Sequence, residues 1–509
     1  MADPAPVLIA PRRGITRGEC FGFLALVFVL AWPFGIFDRF PFDDEISTLD
    51  IIARNSPSEL LVTRLGAYDI TPPISYLIFQ ILVNFGVPIW GMRLVSLIMS
   101  AIAFLLILDL TLAMVRSEEK IVTLATMFLF VSFPLLYGVG DALRWYPVFA
   151  VFVAGFFWLE LRRGRPTMLG GMLLGLAAST TFLAIIPYFG FATRRYLWRR
   201  RFDIRVDGPF HLVLASFAAP GLIAFAVIVA DATKTGEDTS GYLHFTTPIS
   251  GLVGIAQAGL GFLGGYRIGP VDIVLGLPYL ALLALSLGSW ALHRCGDISS
   301  NDADDSAHDL FIVFAVMTGL CALFSFVTGF SEGRAWLFLA PFMLACFALG
   351  YWCRFSRSFL SIFLASLLLF SAALANGRRS DAPYKRNLVI PHDEVINFVA
   401  ENAHGSVLYV SNEPVGAFLL RGAGYCLMTF DLVPSCAEQA FDHFDTIVIA
   451  VVDSHLQYEL DVDKVLREIR AHRTLRTNAR FGYDRWARLK SLLTRTSLDP
   501  WILTVEIYR

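Results

Sequence analysis

The chain has 509 residues, of which 56% are hydrophobic and 17% are charged, and its formal net charge is −2 at pH 7. Soluble domains carry about 45–50% apolar and about 25% charged residues, so the composition excludes an ordinary soluble protein. The near-zero net charge gives no indication of a nucleic-acid partner. The apolar excess lies in blocks up to about residue 375, which predicts a polytopic α-helical membrane domain at 1–375 and a soluble domain at 376–509.

Apolar runs predict about eleven transmembrane helices, because about 20 apolar residues span a bilayer as a helix. The runs lie near 20–37, 93–115, 121–139, 147–161, 167–192, 211–230, 271–292, 310–329, 335–352 and 358–375. The run at 167–192 has AASTT at its centre and counts as two short helices. No small-x-small cleavage site follows the first run, so we expect an uncleaved span and not a signal peptide.

The basic residues of the short loops fall on one side of the membrane, and the positive-inside rule makes that side cytoplasmic. They occur at 12–17, 116–120, 162–165, 193–205, 294 and 354–357. This topology requires the short apolar segment 74–86 to lie in the interface. We interpret the most basic segment, TRRYLWRRRFDIR at 193–205, as a topological signal, and the acidic stretch 297–309 as a disordered linker.

The opposite, extracytoplasmic side then holds 38–92, 140–146, 231–270, 330–334 and all residues after 375. In the last of these, HDEVINFVAENA and HLQYELDVDKVLREIRAH predict helices, and GSVLYVS, DTIVIAVV and WILTVEIY predict strands. We therefore expect a small extracytoplasmic α/β domain. It has no Gly-rich phosphate loop, which favours a role in packing or acceptor recognition over catalysis.

Ionisable residues cluster at span ends on the extracytoplasmic side, where they call for a functional reason. They are Asp43, Asp44, Glu45, Asp50, Arg54, Arg64, Asp69, Arg93, Asp141, Arg144, Glu332 and Arg334. Carboxylates can take a proton from a hydroxyl or hold a divalent cation, and arginines can bind a phosphate through two nitrogens. The set therefore suits attack of an acceptor hydroxyl on a sugar whose leaving group is a lipid phosphate.

Structural explanations exist for the same residues. Acidic side chains at 43–45 are also typical of a helix N-terminus, where they face the positive end of the helix dipole. Pro72 and Pro73 are also typical of a turn before a helix. Arg93 could reach the interface from the end of a span with no further role.

The order of the motifs resembles that of the GT-C glycosyltransferases. More narrowly, it is similar to the bacterial branch related to protein O-mannosyltransferases and the lipid A aminoarabinose transferase. The motifs are Asp44-Glu45 after the first span, Asp69 before Pro72-Pro73-x-x-Tyr76, Arg93-x-x-Ser96, Asp141-Ala-Leu-Arg144-Trp145-Tyr146 and GRAWLFLAP at 333–341. The match is close over about 30–150 and loose over 330–350. Thr71 departs from the His or Lys that relatives often have, and the loop at 141–146 is one residue longer between its acid and its arginine.

The resemblance implies an inverting transfer of a sugar from a polyprenyl-phosphate donor to a hydroxyl of a cell-envelope lipid, polysaccharide or protein. The reaction would occur on the periplasmic face of a bacterial inner membrane. Asp44 would be the base that activates the acceptor, with Asp69 as the second carboxylate and Glu45 beside them. A divalent cation, Mg or Mn, held by Asp44 and Asp69 is left open.

The resemblance also implies that Arg144 and Arg334 hold the donor phosphate, with Arg93 and Tyr146 near it. The alternative function is a lipid-linked sugar flippase or other transporter without transferase activity. A transporter would more naturally carry polar residues at the middle of the membrane and broken helices in paired halves. A third alternative is a non-catalytic homologue that acts as a scaffold, which the retained carboxylates disfavour.

Overall fold

The computed structural model describes residues 15–31, 45, 48–49, 51–52, 55–62, 73–114, 120–138, 140, 142–235, 248, 251–252, 255, 259, 302–328, 333–354, 392–411, 425–429, 443–452, 469–481 and 503–509. The chain forms two compact units. The first consists of Met1–Phe37 and Asn55–Arg379, and the second of Asp38–Arg54 and Ser380–Arg509.

The described part of the first unit is helical. Its α-helices are α1 (Arg17–Ala31), α2 (Pro57–Val62), α3 (Ile74–Asn84), α4 (Ile89–Met114), α5 (Lys120–Val131), α6 (Pro134–Gly138), α7 (Trp145–Arg163), α8 (Met168–Ala178), α9 (Ile185–Ala192), α10 (Ile204–Thr235), α11 (Asp302–Thr328) and α12 (Ala340–Arg354). Short 3-10 helices lie at Phe182–Ala184 and Gly333–Leu339, and a π-helix at Thr193–Trp198. Among the described residues, four helical segments are long and apolar enough to cross a membrane: Ile89–Met114, Trp145–Arg163, Ile204–Ile223 and Ala307–Val327.

Two of the predicted spans are divided. The run at 167–192 forms α8 and α9, as its polar centre predicts, and the Thr181 side chain accepts a hydrogen bond from the Leu183 N–H between them. The run at 121–139 is also divided, because Pro134 begins α6 and cannot continue the hydrogen bonds of α5. The predicted spans at 271–292 and 358–375 lie outside the described residues.

Helices α4 and α7 pack side by side and run in the same direction. Near the middle of α4 and just before α7 begins in sequence, the Ser100 hydroxyl donates to the Gly140 carbonyl oxygen at 2.8 Å. Near their C-terminal ends, the Trp158 indole Nε1 donates to Asp109 at 2.7 Å. We call the N-terminal end of this helix pair, near residues 93 and 144, the first end of the bundle. Its C-terminal end, near residues 109 and 162, is the second end.

Buried ion pairs hold the second end together. The Arg194 guanidinium, in the π-helix, contacts the Glu160 carboxylate of α7 and lies 2.7 Å from Oδ2 of Asp309 in α11. Arg199 Nε donates to the other Asp309 oxygen at 2.8 Å. The side chains of Arg194, Glu160 and Asp309 are 8%, 1% and 5% exposed. These ion pairs therefore join three elements that are distant in sequence.

A second group of polar contacts ties the π-helix to the start of α10. Arg195 binds Asp207 through two nitrogens, at 2.7 and 3.1 Å. The Asp207 carboxylate also accepts from the Asp203 backbone N–H at 2.7 Å and from the Tyr196 hydroxyl at 3.1 Å. Burial and the neighbouring Asp207 raise the pKa of Tyr196 well above its ordinary value, so its hydroxyl stays protonated and donates.

These contacts add to one interpretation made from the sequence and correct another. The segment 193–205 is more than a charged loop that sets topology, since two of its arginines are buried in ion pairs. The prediction of a disordered linker is wrong for residues 302–309, which form the first turns of α11 and contribute the buried Asp309. Residues 297–301 lie outside the described part of the chain.

We expect Arg194→Gln to lower the free energy of unfolding by about 3–5 kcal/mol, because the change leaves the buried carboxylates of Glu160 and Asp309 without their shared partner. Chemical or thermal unfolding of the full chain in a neutral detergent measures the effect. Arg163→Gln is the matched control, since Arg163 is exposed at the same end of the bundle. Equal stability of the two variants would contradict the structural role of the ion pairs.

Helices α8 and α10 pack closely through small residues spaced four apart: Gly171, Gly175 and Ser179. A Cβ added at Gly175 would lie 2.6 Å from the Phe217 Cβ, and one at Gly171 would lie 2.5 Å from the Phe210 carbonyl oxygen. The Ser179 hydroxyl donates to the Phe217 carbonyl oxygen at 2.7 Å. This is the small-xxx-small packing that holds membrane helices together.

Gly175→Ala is expected to cost about 1–3 kcal/mol of stability, because the added methyl group overpacks the contact with α10. Gly319→Ala in α11 is the control, since a Cβ there meets nothing within 4 Å and alanine is the better helix former. The midpoints of thermal unfolding of the two detergent-purified variants should therefore move apart. If the midpoint of Gly175→Ala were equal to or above that of the unmodified chain, the close contact between α8 and α10 would not contribute to stability.

The second unit contains a five-stranded sheet in the order β2-β1-β3-β5-β4. Its elements are α13 (His392–Asn402), β1 (Val407–Ser411), β2 (Cys426–Thr429), β3 (Thr446–Val452), β4 (Leu475–Phe481) and β5 (Leu503–Tyr508). Strand β1 is parallel to β2 and β3, and β5 is antiparallel to β3 and β4. One face packs against α13 through Val395 and Val399, and the other face forms a separate cluster that includes Ile449 and Ile469.

The predicted elements of this unit are found where the structure describes them. The first predicted helix is α13, and the three predicted strands are β1, β3 and β5. The sequence reading missed β2 and β4. The second predicted helix lies mostly outside the described residues, and only its last residues, 469–472, are described as helical.

Candidate functional site

The side chains of Arg93 and Arg144 belong to the same end of the α4–α7 pair. A Cβ at Gly155 of α7 would face the Leu106 side chain of α4. One turn further along both helices, Trp158 of α7 is hydrogen-bonded to Asp109 of α4, so the two helices run side by side in the same direction. Because the two helices run in the same direction, Arg93 in α4 and Arg144, the N-cap of α7, both lie toward their N-terminal ends. The structure thus brings two of the predicted phosphate-binding arginines to one end of the bundle.

Both motifs are built into the packed interior. Arg93 is 1% exposed and Ser96 is fully buried, and with Ser100 they follow one face of α4 at a spacing of three and four residues. Tyr146, in the first turn of α7, is 3% exposed and its ring lies 4.5 Å from that of Trp145. Rigid helices, and not mobile loops, therefore position these side chains.

The late motif begins at the same end. The Phe338 ring contacts the Phe149 ring with centroids 4.9 Å apart, and Phe342 contacts Phe157 at 5.3 Å. The 3-10 helix at Gly333–Leu339 and the following α12 therefore run in the same direction as α7. The backbone of Arg334 accordingly lies at the first end of the bundle; its side chain is outside the described set.

The Pro-Pro motif lies toward this end as well. Helix α8 follows α7 after a short turn and runs back toward the first end, where it is capped by Ser179. The Ile74 backbone N–H donates to the Ser179 carbonyl oxygen at 3.1 Å, directly after Pro73. Tyr76, the last residue of the motif, is 2% exposed. The described residues of four motifs that are far apart in sequence thus lie toward one end of the first unit.

The electrostatics of this end favour an anion. Arg144 is the N-cap residue of α7, Arg93 lies near the N-terminus of α4, and Arg334 is the second residue of its 3-10 helix. The N-terminal ends of helices carry positive potential, so side-chain cations there add to the field of the peptide dipoles. Helix N-termini of this kind are common binding sites for phosphate groups.

The predicted acids are not part of this described set. Asp44 and Asp69, the predicted base and second carboxylate, lie outside the described residues, as does Asp141. Glu45 is described as a fully buried helical residue of the second unit. Within the described ranges, no three His, Cys, Asp or Glu side chains lie close enough together to hold a metal ion.

The sequence reading missed one pair of residues that position the arginine-bearing loop. The buried Ser100 hydroxyl holds the Gly140 carbonyl oxygen, four residues before Arg144. A Cβ at Gly140 would collide with the Leu136 carbonyl oxygen, so only glycine fits there. The sequence pattern that could have revealed this pair is the position of Ser100, which lies on the same face of α4 as Arg93 and Ser96.

We expect Ser100→Ala to cost about 1–3 kcal/mol, because it leaves the buried Gly140 carbonyl without its hydrogen bond. Ser216→Ala is the matched control, since the exposed Ser216 makes a hydrogen bond of the same length to the Leu212 carbonyl. Both are compared by thermal unfolding in neutral detergent. A Ser100→Ala midpoint equal to that of the control would rule out the proposed bracing of the loop.

Neither protein-family models nor curated protein sequences match the chain. Among solved structures, the chain is similar to ArnT from Cupriavidus metallidurans in the apo state, with 11% identity, a TM-score of 0.42, and coverage of 96% of this chain and 98% of that one. It is also similar to ArnT from the same organism bound to undecaprenyl phosphate, with 13% identity, a TM-score of 0.44, and coverage of 97% and 98%. A likeness at this level supports no conclusion about activity.

Proposed function

We propose that the chain is an integral membrane glycosyltransferase of the GT-C type. It transfers a sugar from a polyprenyl-phosphate donor to a hydroxyl of a cell-envelope acceptor. The observation that carries the proposal is the convergence, at one end of an apolar helical bundle, of helix N-termini that bear Arg93, Arg144 and Arg334. Such an end offers an anion both guanidinium groups and helix dipoles.

The arginines would act on the leaving group. Arg144 and Arg334 hold the donor phosphate, and Arg93 and Tyr146 lie near it. A guanidinium binds two phosphate oxygens at once, and its effect on developing negative charge is larger where water is excluded. The near-complete burial of Arg93 and Tyr146 supports such an environment.

The acids would act on the acceptor. Asp44 removes the proton from the acceptor hydroxyl, which attacks the anomeric carbon and displaces the phosphate with inversion. Asp69 orients the acceptor or holds a divalent cation together with Asp44, and Glu45 supports them. These roles rest on the motif resemblance.

The orientation of the chain follows from its charges. The second end of the bundle adjoins the basic segments 162–165 and 193–205, so the positive-inside rule makes it cytoplasmic and the first end periplasmic in a bacterial inner membrane. We further propose that 1–375 is the catalytic membrane domain, with 38–92 as its first periplasmic loop. The domain at 376–509 then faces the periplasm and serves packing or acceptor recognition.

The distribution of charge favours a transferase over a flippase. In the four candidate spans, the aspartate, glutamate and arginine side chains lie toward the ends: Arg93, Asp109, Glu160, Arg162, Arg163, Arg205, Asp207 and Asp309. A transporter would more naturally carry such groups at the middle of the membrane.

The deciding experiment is a transfer assay with the purified full chain and a panel of polyprenyl-phosphate sugars, with and without chelator. Asp44→Asn is expected to lower the rate by at least about 100-fold, because general-base catalysis contributes on that scale. Asp43→Asn, which removes the neighbouring carboxylate, is the matched control and should retain activity. Expression and membrane insertion should be the same for both variants.

Wild-type turnover by Asp44→Asn would remove Asp44 from the role of base. Movement of the lipid-linked sugar across vesicles, without any transfer to an acceptor, would favour the flippase instead. Activity that survives the chelator would exclude a required divalent cation on Asp44 and Asp69.

A further inference from the structure

An exposed surface at the second end of the bundle combines apolar and basic side chains. It is formed by residues 197–205, which we call the 197–205 surface. Its apolar members are Leu197, Trp198, Phe202 and Ile204, which are 72%, 41%, 69% and 68% exposed. Its basic members, Arg200, Arg201 and Arg205, are also exposed. Large apolar side chains this exposed and this close together indicate a binding surface.

The surface is held in a fixed shape from beneath. The arginines that precede it are buried in ion pairs, Arg194 with Glu160 and Asp309, and Arg195 with Asp207. Two backbone hydrogen bonds close the turn: Arg199 N–H to the Arg194 carbonyl at 2.9 Å, and Arg201 N–H to the Arg195 carbonyl at 3.0 Å. The exposed side chains therefore project from a braced turn.

The surface lies where a membrane would end. The candidate span Ile204–Ile223 begins within it, and Asp309, which binds Arg199, lies at the start of the candidate span Ala307–Val327. Helix α7 ends at the same level, since Glu160 near its C-terminus joins the same ion pairs. Aromatic and basic side chains are the usual anchors at such a boundary.

The positive charge of the 197–205 surface favours an anionic partner. Asp203 is its single acidic residue, and that carboxylate already accepts a hydrogen bond from the Arg205 backbone N–H at 2.9 Å. Three exposed guanidinium groups remain beside apolar side chains that can enter the acyl region. A phospholipid with a net negative headgroup meets both requirements, whereas a zwitterionic one meets only the apolar requirement.

We propose that the 197–205 surface binds anionic phospholipid headgroups of the adjacent leaflet, with Arg200 and Arg201 on the phosphates and Leu197 and Phe202 among the acyl chains. This role goes beyond a topological signal. Topology depends on the number of basic residues in a loop, whereas headgroup binding depends on which of them are exposed and on the apolar side chains between them.

The test uses the purified full chain in a neutral detergent, mixed with equal amounts of phosphatidylglycerol and phosphatidylcholine, and native mass spectrometry to count the lipids that stay bound. The unmodified chain should retain phosphatidylglycerol in preference. Arg200→Gln combined with Arg201→Gln should reduce that preference roughly tenfold or more, because each basic residue near a membrane surface contributes substantially to its attraction for anionic lipids.

Matched controls distinguish the effect of the 197–205 surface from the effect of the net charge of the protein. Arg480→Gln combined with Arg509→Gln removes two exposed arginines of the second unit and should leave the preference unchanged. Arg200→Lys combined with Arg201→Lys keeps the charge and should retain most of it. Thermal unfolding in neutral detergent should give the same midpoint for all of these variants, because the replaced side chains are exposed.

Several outcomes would overturn the proposal. An equal loss of preference in the Arg480/Arg509 variant would mean that only net charge matters. Displacement of phosphatidylglycerol by millimolar inorganic phosphate would indicate a site for free anions and not a membrane surface. Unchanged retention of both lipids by Leu197→Gln combined with Phe202→Gln would show that the apolar side chains do not enter the bilayer.

Discussion

The pairing of α4 with α7 determines which motifs lie together at the first end of the bundle. Polar side chains at two levels of α4 hold the pair: Ser100 bonds the Gly140 carbonyl before α7, and Asp109 bonds Trp158 and Arg162. A slip by one helical turn would move the helices about 5.4 Å past each other and leave buried polar groups without partners. Because both hydrogen bonds must be made at once, one register is selected. In that register Arg93 and Arg144 lie toward the same, N-terminal end of the pair, and the aromatic contacts of α7 bring the start of the 3-10 helix at Gly333–Leu339 to that end.

The two ends of the bundle use helix dipoles in opposite ways. At the second end, Asp207 lies in the first turn of α10, where the dipole stabilises a carboxylate, and Asp309 lies two turns into α11; arginines from the π-helix neutralise both. The buried charges of this end, Asp207 and Asp309 with Arg194 and Arg195, are therefore paired with one another. At the first end, the residues near the N-termini of α4, α7 and the 3-10 helix are arginines, which the dipoles do not stabilise. A phosphate bound there would be stabilised by the arginine side chains and by the helix dipoles. This contrast supports placing the donor at the first end, and it depends on helix direction, which no short motif reveals.

The sequence predicts some elements well, and the exceptions have identifiable causes. Hydropathy locates the helices because a bilayer requires a minimum apolar length, and AASTT correctly predicts the break between α8 and α9. The strands β1, β3 and β5 are central in the sheet and apolar, so their sequences are distinctive, whereas the missed β2 and β4 are its edges and β4 is largely exposed. The start of α11 looked like a linker because DADDSAHD has no apolar periodicity. Its helix depends on Asp309 meeting arginines more than a hundred residues earlier in the chain, and local sequence does not contain that information.

The segment TRRYLWRRRFDIR shows why counting charges cannot replace a structure. All its arginines look alike in the sequence, yet Arg194 and Arg195 are buried and Arg200 and Arg201 are exposed. The π-helix makes the difference, because its backbone hydrogen bond from Arg199 to Arg194 joins residues five apart and brings them to one side. Both guanidinium groups can then reach the two oxygens of Asp309. An α-helix would align residues three or four apart instead and would turn Arg199 away from Arg194. The buried arginines thus fix the turn, and the fixed turn determines which arginines remain available at the membrane boundary.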